Sequence, residues 1–289
     1  MRVGILGAGR GWHVAELERA LGERGHQSHA LAVTSLVARL GGEASLNAPG
    51  TSIDGLDAVI VRILPRASLE QTVFRMDALH WLGQLGVAVV NPAPAIERTV
   101  DKFYASALLQ AAGLPTPRTV VCERLDDAMA AFAELRDVIV KPLFGSNGRG
   151  MVRVSDEEIA WRVFRALELE RAVFYLQEAL PHAGRDLRAF VIGDGVVAAA
   201  WRSAPGWRTN VARGGRSERA ELTPPLVDLS LRAARAVGAS YAGVDLLPLP
   251  DGRVFVLEVN GIPGWRGLQA TTHLDVAGAI VAHVETLSR

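Results

Sequence analysis

Ala242-Gly243-Val244-Asp245-Leu246-Leu247 and Val254-Phe255-Val256-Leu257-Glu258-Val259-Asn260 are two apolar runs divided by the turn-forming stretch Pro248 to Gly252. Their length, valine content and the Pro-Asp-Gly between them predict two paired strands. Alternate residues of a strand share a face, so Glu258 and Asn260 point one way and Leu257 and Val259 the other, with Asp245 able to sit opposite them. Two carboxylates and an amide oxygen converging from neighbouring strands make a hard-oxygen site suited to Mg²⁺ held partly by phosphates. The competing reading is a pair of incidental surface acids. Asp245 argues against it, because it interrupts an otherwise apolar strand, and an acid buried there without partner or metal costs on the order of several kcal/mol.

Upstream, Leu187 to Ile192 and Val196 to Arg202 read as strands joined by the turn Gly193-Asp194-Gly195. Arg188 and Arg202 belong to these apolar strands and must point into a cleft or be paired. The Gly/Arg-rich stretch Trp207 to Arg219, with Arg208, Asn210, Arg213 and Arg216, reads as an irregular loop. Guanidinium forks bind carboxylates and phosphates in bidentate fashion. Before them the chain alternates strand and helix: Thr119 to Cys122, Leu125 to Leu135, Val138 to Lys141, Met151 to Val154, Asp156 to Leu167 and Val173 to Glu178. Lys141 ends an apolar strand and is followed by Leu143-Phe144-Gly145-Ser146-Asn147-Gly148-Arg149-Gly150. One ammonium and several backbone N–H groups can surround phosphate oxygens there. The order is not that of a P-loop, in which the lysine follows the glycines; it suits a hairpin flap over a ligand, or a plain mobile turn. Downstream lie helices over Pro225 to Val237 and Leu274 to Leu287.

The first 94 residues carry strands at Arg2 to Leu6, Gln27 to Val33, Leu56 to Ile63 and Val87 to Val90, with helices at Trp12 to Arg24 and Leu69 to Leu85. This is parallel α/β order. Asn91-Pro92-Ala93-Pro94 reads as a boundary turn, followed by one helix from Ile96 to Ala112 that ends before Gly113, Pro115 and Pro117. Gly7-Ala8-Gly9-Arg10-Gly11-Trp12 follows the opening strand and invites a dinucleotide site. It fails the spacing, because the third glycine position holds Trp12 and the second strand lacks the ribose-binding acid near His29.

The chain has 289 residues, 49% hydrophobic and 21% charged, with 31 basic and 31 acidic side chains, as expected of a globular enzyme of two or three lobes with no net field for nucleic acid or anionic membrane. No apolar run approaches the roughly 20 residues of a membrane helix and no cleavable leader precedes the first strand, so the expected address is cytoplasmic. The single cysteine, Cys122, excludes an intrachain disulfide, and Val120-Val121-Cys122 is the setting of a buried strand residue.

In their order, Lys141-Pro142 with its glycine loop, Gln177-Glu178-Ala179-Leu180, Gly184-Arg185-Asp186-Leu187-Arg188, Arg208-Thr209-Asn210 with Arg213-Gly214-Gly215, Ala242-Gly243-Val244-Asp245 and Glu258-Val259-Asn260-Gly261-Ile262-Pro263-Gly264 resemble the ATP-grasp superfamily, specifically its RimK-like α-L-glutamate ligases. The resemblance implies an ATP-grasp fold: an N-terminal parallel α/β lobe (1–94), a central α+β lobe with the flap (95–180) and a C-terminal α+β lobe with the metal site (181–289), the last two clasping ATP. It implies phosphate contacts for Lys102, Lys141 and Ser146, and adenine read by the backbone of Glu178 and Ala179 beside Gln177 and Leu180. Asp186 would hold the ribose or an adjoining group, and Arg208, Thr209 and Asn210 would touch nucleotide. Arg213, Gly214 and Gly215 would hold substrate, and Asp245, Glu258 and Asn260 would hold Mg²⁺, with Mn²⁺ as a substitute. Arg188 and Arg202 would stabilise the transferring phosphoryl group. The implied partners are ATP, L-glutamate and a carboxylate acceptor, with neither nucleic acid nor membrane and with room for a homo-oligomer. Asn260 to Gln269 resembles the variant in ligases that complete tetrahydromethanopterin-type coenzymes, where Trp265 and Trp207 would either stack a pterin or pack. Glutamate ligation to a protein C-terminus or an acidic carrier protein, and a non-catalytic ATP-binding module, are the alternatives.

Overall fold

In the computed structural model, which describes residues 1–7, 9, 11–42, 45–145, 148–204, 206, 207, 209 and 215–288, the opening apolar run forms strand β1 (Arg2–Gly7), buried along nearly its whole length. Burial on both faces is what a central parallel strand requires. It continues into α1 (Trp12–Glu23) and β2 (Gln27–Ala32). A small antiparallel sheet of β3 (Val37–Arg39), β4 (Ser45–Ala48) and β5 (Thr51–Ser52) follows, which the sequence reading lacks. Then come β6 (Ala58–Val61), α2 (Leu69–Gln84) and β7 (Ala88–Val90). The parallel sheet runs β2-β1-β6-β7, so the strand order reverses between β1 and β6.

Asn91 to Pro94 is a helix start rather than a turn, because Pro92 caps α3 (Ala93–Val100) and Pro94 lies in its first turn, where a missing N–H costs nothing. The single helix expected over Ile96 to Ala112 is two. Asp101 breaks it and caps α4 (Lys102–Ala111), accepting from the N–H groups of Phe103 at 2.9 Å and Tyr104 at 3.1 Å. Aspartate gains more from orphan N–H groups at a helix start than from a place inside a helix. The break sets Lys102 at the first position of α4.

The middle sheet is antiparallel, β10-β9-β11-β8, built from β8 (Thr119–Cys122), α5 (Leu125–Leu135), β9 (Val138–Lys141), β10 (Val152–Val154), α6 (Glu157–Leu169) and β11 (Phe174–Glu178). Phe132, Phe164 and Phe174 meet edge to face beneath it. The last sheet, β14-β13-β12-β15-β16, uses β12 (Arg185–Ile192), β13 (Gly195–Ser203), β14 (Arg216–Arg219), α7 (Pro224–Val237), β15 (Tyr241–Pro248) and β16 (Val254–Asn260), followed by α8 (Arg266–Gln269) and α9 (Val276–Leu287). β14 corrects the reading of residues 207–219 as wholly irregular: Arg-Ser-Glu-Arg pairs with β13 at the sheet edge, where no apolar alternation is needed. Among the described residues no helix is long and apolar enough to cross a membrane.

The first and last lobes share one core, in which Ile280, Val281 and Val284 of α9 meet Val14, Leu17 and Leu21 of α1. Trp265 belongs to it at 1% exposure, so it packs and is not available to stack a ligand. A fully buried amide, Asn91, fastens the same joint. Its Nδ2 donates to the carbonyls of Tyr241 at 2.7 Å and Gly261 at 2.5 Å, and its Oδ1 accepts from Ser240 N at 2.7 Å, Ser240 Oγ at 3.0 Å and Tyr241 N at 3.1 Å. Replacing it would strand these groups in the interior. Asn91→Ala is therefore expected to destabilise the chain by about 3 kcal/mol, read as a lowered urea midpoint with unchanged slope; an unaltered midpoint would exclude the joint as a stabilising element.

Candidate active site

Two strand irregularities decide which side chains meet. β12 and β13 pair with Ile192 opposite Gly195, a register that, if unbroken, would set Asp186 opposite Trp201; a one-residue shift between Phe190 and Val191 sets it opposite Arg202 instead. β15 and β16 pair with Leu246 opposite Val256, which would set Asp245 opposite Leu257; a shift after Asp245 sets it opposite Glu258. A one-residue slip exchanges the faces of a strand, so each bulge re-aims a charged side chain. Arg188 lies opposite Asp245 on the other side, and Asn260 opposite Gly243. Asp186, Arg188, Arg202, Asp245, Glu258 and Asn260 thus share one face. The second bulge also changes the expected alternation: Val256 and Val259 enter the core, while Leu257 joins Glu258 in lining a cleft.

The Asp245 carboxylate, 5% exposed, is gripped by both arginines. Arg188 donates through Nε to Oδ1 and through Nη2 to Oδ2, the latter at 2.9 Å, and Arg202 Nη2 lies 3.0 Å from Oδ2. Arg202 also forks onto Asp186, Nε to Oδ1 at 2.7 Å and Nη2 to Oδ2 at 2.6 Å, and Thr209 Oγ1 donates to the same Oδ2 at 2.7 Å. Asp186 is therefore a buried brace for Arg202. Burial alone would raise the Asp245 pKa, but the charges of Arg188 and Arg202 outweigh it and hold the carboxyl below its ordinary value. Burial likewise opposes the Arg202 charge, and Asp245 and Asp186 overcome it.

Across the cleft stand the lysines. Lys141 at the end of β9 is 8% exposed, and its Nζ donates to Gln177 Oε1 at 2.5 Å. Gln177 is held in turn, donating to Thr119 Oγ1 at 3.2 Å and Tyr175 Oη at 3.3 Å, and Tyr175 shares a 2.8 Å hydrogen bond with Ser106 of α4. Gln177 thus sets the ammonium in place. Burial, partly countered by Glu258, and the neighbouring Lys102 charge bring the Lys141 pKa down to about 8. Lys102 Nζ donates to Gly145 O at 2.8 Å and ties the flap to α4; burial lowers its pKa too. Thr99, Lys102, Lys141, Tyr175, Leu257 and Glu258 line one cavity between the lobes. Tyr175, Ser106 and Thr119 are absent from the sequence reading. The spacing of Tyr175 and Gln177, two apart on one strand, is the signal that puts them on one face.

At the expected hinge, the N–H groups of Glu178 and Ala179 are committed to Arg118 O at 2.8 Å and Asp137 O at 2.9 Å. A ligand there is left the carbonyls and the Leu180 backbone. Ser146, Arg208, Asn210, Arg213 and Gly214 lie outside the described residues; Gly215 is described, directly ahead of β14. The Cys122 thiol has its pKa raised by burial and by Asp127, the wrong direction for a nucleophile.

The donor set fits a hard divalent cation. Asp245 keeps one of roughly four lone-pair positions after three guanidinium contacts, enough for monodentate ligation. Glu258 lies half-buried opposite it, and Asn260 Nδ2 turns toward Gly243 O at 3.5 Å, leaving Oδ1 for a cation. Among the described residues no group of three His, Cys, Asp or Glu side chains is placed to hold a metal ion by itself. A cation there would fill its coordination with water or with oxygens of a bound ligand. Arg188, Arg202, Lys102 and Lys141 outnumber the three carboxylates of the cluster, which suits an anion.

A model of the RimK-like ATP-grasp domain matches residues 99–284, and one of the RimK PreATP-grasp domain matches residues 1–96. The chain is 32% identical over 286 residues, 97% of each chain, to the tetrahydromethanopterin:α-L-glutamate ligase of Methanococcus maripaludis. It is 36% identical over 272 residues, 92% of each, to the probable α-L-glutamate ligase of Xanthomonas campestris pv. campestris strain 8004. The ATP-grasp ligase PsnB, solved with its minimal precursor, Mg and ADP, superposes with a TM-score of 0.76 at 25% identity, covering 99% of this chain and 98% of PsnB.

Neutralising Asp245 would leave the part-buried Arg188 without its carboxylate and the buried Arg202 with Asp186 alone. Asp245→Asn is expected to cost about 3–5 kcal/mol in urea unfolding. Because the folded-state pKa of Asp245 lies below the unfolded value, its contribution is complete above the unfolded carboxyl pKa of about 4 and is lost as pH falls through the folded value. The difference between wild type and variant should therefore shrink below about pH 4; a pH-independent difference would contradict the pairing.

Proposed function

The chain belongs to the RimK-like ATP-grasp family, and from that premise we propose that it is an ADP-forming ligase that adds L-glutamate to a carboxylate acceptor, a tetrahydromethanopterin-type coenzyme ahead of a protein C-terminus or an acidic carrier protein. The observation that carries the reading is the single strand face on which Arg188, Arg202, Asp245, Glu258 and Asn260 converge, opposite Lys102 and Lys141. Membership of the family makes it an ATP-grasp ligase. The preference for a small coenzyme rests on near full-length similarity to the methanogen ligases and on the stretch Asn260 to Gln269. The buried Trp265 removes one reason for a pterin, since stacking on that ring is closed to ligands.

An oxygen of the acceptor carboxylate attacks the γ-phosphorus of ATP and ADP leaves; the glutamate amine then attacks the acyl carbon, loses a proton, and phosphate departs. Mg²⁺, or Mn²⁺ in its place, would be held by Asp245, Glu258 and Asn260 and would offset charge on the phosphate oxygens. Lys141, fixed by Gln177, and Lys102 would meet the nucleotide phosphates, the latter on leaving Gly145 O. Arg188 and Arg202 stand where charge develops on the transferring group, and their orientation by Asp245 and Asp186 removes reorganisation from the barrier. No side-chain nucleophile is required, and catalysis is placement, charge neutralisation and exclusion of water beneath the flap. The working lobes are 1–94, 95–180 and 181–289, and the expected address is cytoplasmic.

The deciding experiment incubates the chain with ATP, Mg²⁺, L-glutamate and candidate acceptors and follows the acceptor by mass spectrometry. One acceptor gaining glutamate with ADP release supports the proposal; phosphate release without an amide on any acceptor overturns it. Glu258→Gln should abolish Mg²⁺-dependent ADP release, and full turnover would sink the metal assignment.

Lys141 supplies a second test. Its ammonium is charged below pH 8 and discharged above, so kcat/KM for ATP is expected to fall as pH rises through about 8. Lys141→Arg should move that limb beyond the measurable range; a limb unmoved in the variant would assign it elsewhere.

A further inference from the structure

Beside the phosphoryl-transfer face lies a second cationic site, at the carboxyl end of the parallel sheet. Ligands of open α/β sheets gather where the strand order reverses, and here that point lies between the ends of β1 and β6. Arg62 directly follows β6. It is 9% exposed, and no carboxylate pairs with it among the described residues. Its Nη1 donates to Tyr241 Oη at 2.9 Å and its Nη2 to Pro263 O at 2.7 Å; its plane covers the Trp265 ring at 4.5 Å, while Nε has no partner. A buried guanidinium without a counter-charge is costly, and an anionic ligand would supply one.

Arg266 joins it. It is exposed, has no carboxylate partner among the described residues, and stands 5.9 Å over the Trp12 ring at the start of α1. His13 packs edge-on against both rings, 5.0 Å from the Trp12 ring that carries Arg266 and 4.6 Å from the Trp265 ring that carries Arg62, and its Nε2 accepts from Trp265 N at 3.1 Å, so that the proton of the neutral ring lies on Nδ1. Burial first, then the charges of Arg62 and Arg266, bring the His13 pKa down to about 4, and no acid acts against them. The first turn of α1 carries neither an acid nor a side-chain cap. Among the described residues, a Cβ at Gly9, whose φ is +104°, or at Gly11 would meet nothing within 4 Å.

The site adjoins the reaction face. Pro263, which anchors Arg62, is three residues from Asn260, a span of at most about 11 Å. A Cβ at Gly243 would touch both Pro263 Cβ at 3.1 Å and Arg188 Cδ at 3.2 Å, so Arg188 and Pro263 lie together over the same glycine.

We propose that Arg266, the His13 Nδ1–H and the first turn of α1 form a subsite for a spectator carboxylate, the one that does not react, of a substrate of this ligase, with Arg62 as its positioning residue. The subsite rests on the ligase reading for its role but not for its existence. Two sources share the chemistry: a second carboxylate of the acceptor, for which glutarate is the probe, and the incoming L-glutamate.

Calorimetric titration of the full chain with glutarate and with L-glutamate, alongside a nonhydrolysable ATP analogue with Mg²⁺, separates the cases. The wild type is expected to bind at least one dicarboxylate. Arg266→Gln should weaken that binding tenfold or more and leave nucleotide affinity unchanged, and Arg266→Lys should restore part of it. Loss for glutarate alone assigns the acceptor, and loss for L-glutamate alone assigns the amine substrate. Binding should also raise the His13 titration midpoint in NMR spectra, a response that a purely structural histidine would not give. Wild-type indifference to both probes in the millimolar range, or equal affinities in wild type and Arg266→Gln, overturns the subsite. Failure of the ligase reading shows separately, as absent nucleotide binding by the wild type.

Discussion

A carboxylate buried in the middle of a β-sheet has to be compensated, and how Asp245 is compensated shapes the site. Its neighbours on β12 and β13 supply two guanidiniums, and Arg202 in turn needs Asp186. The chain of alternating charges is self-consistent only if the strands stay in their bulged registers, because an unbroken ladder would put Trp201 and Leu257 where Arg202 and Glu258 stand. Electrostatics and backbone geometry therefore specify each other: the bulges bring the charges together, and a slip in register would strand them in an apolar layer.

The rest of the molecule brings positive charge to this face from outside. Asp101 ends α3 and starts α4, and so delivers Lys102. Lys141 comes from the far sheet and is kept in position by Gln177, Tyr175 and Ser106, a network whose last member lies on α4 one turn beyond Lys102. The two lysines are thus connected mechanically as well as electrostatically. On the third side, Asn91 fastens the parallel sheet to β15 and to the residue that follows β16, so that β6 and Arg62 stand in fixed relation to Asn260.

Much of the scaffold was legible because it is written in short-range patterns. β8, α5, β9 and β16 fall on the residues that periodicity and turn chemistry assign, and the motif order pointed to the family that the comparisons then showed. What escaped has a common cause. β14 is held by edge pairing without an apolar stripe, and the break at Asp101 depends on one side chain preferring a cap to a helix interior. The pairing of Gln177 with Lys141 and of Asp186 with Arg202 is invisible in sequence because the partners are 36 and 16 residues away and meet only through strand pairing. Bulges cannot be read from alternation, since they are its interruption.

The shared use of Asp245 bears on how such a face could hold a cation. A carboxylate that already accepts three guanidinium hydrogen bonds has much of its charge spent, and a cation bound there competes with Arg188 and Arg202. Glu258 is under less constraint, since the nearest opposing charges are ammoniums across a cleft. A polyphosphate entering the cleft would give those ammoniums a better partner and release Glu258 from them, while its oxygens would offset the guanidiniums. Anion and cation would each be poorly accommodated alone and better accommodated together, which is the behaviour expected of a site that takes a metal–nucleotide complex as a unit. The proposed spectator site near Arg62 would be free of that coupling: among the described residues neither Arg62 nor Arg266 has an acid to give up, and a carboxylate entering there would meet uncompensated charge.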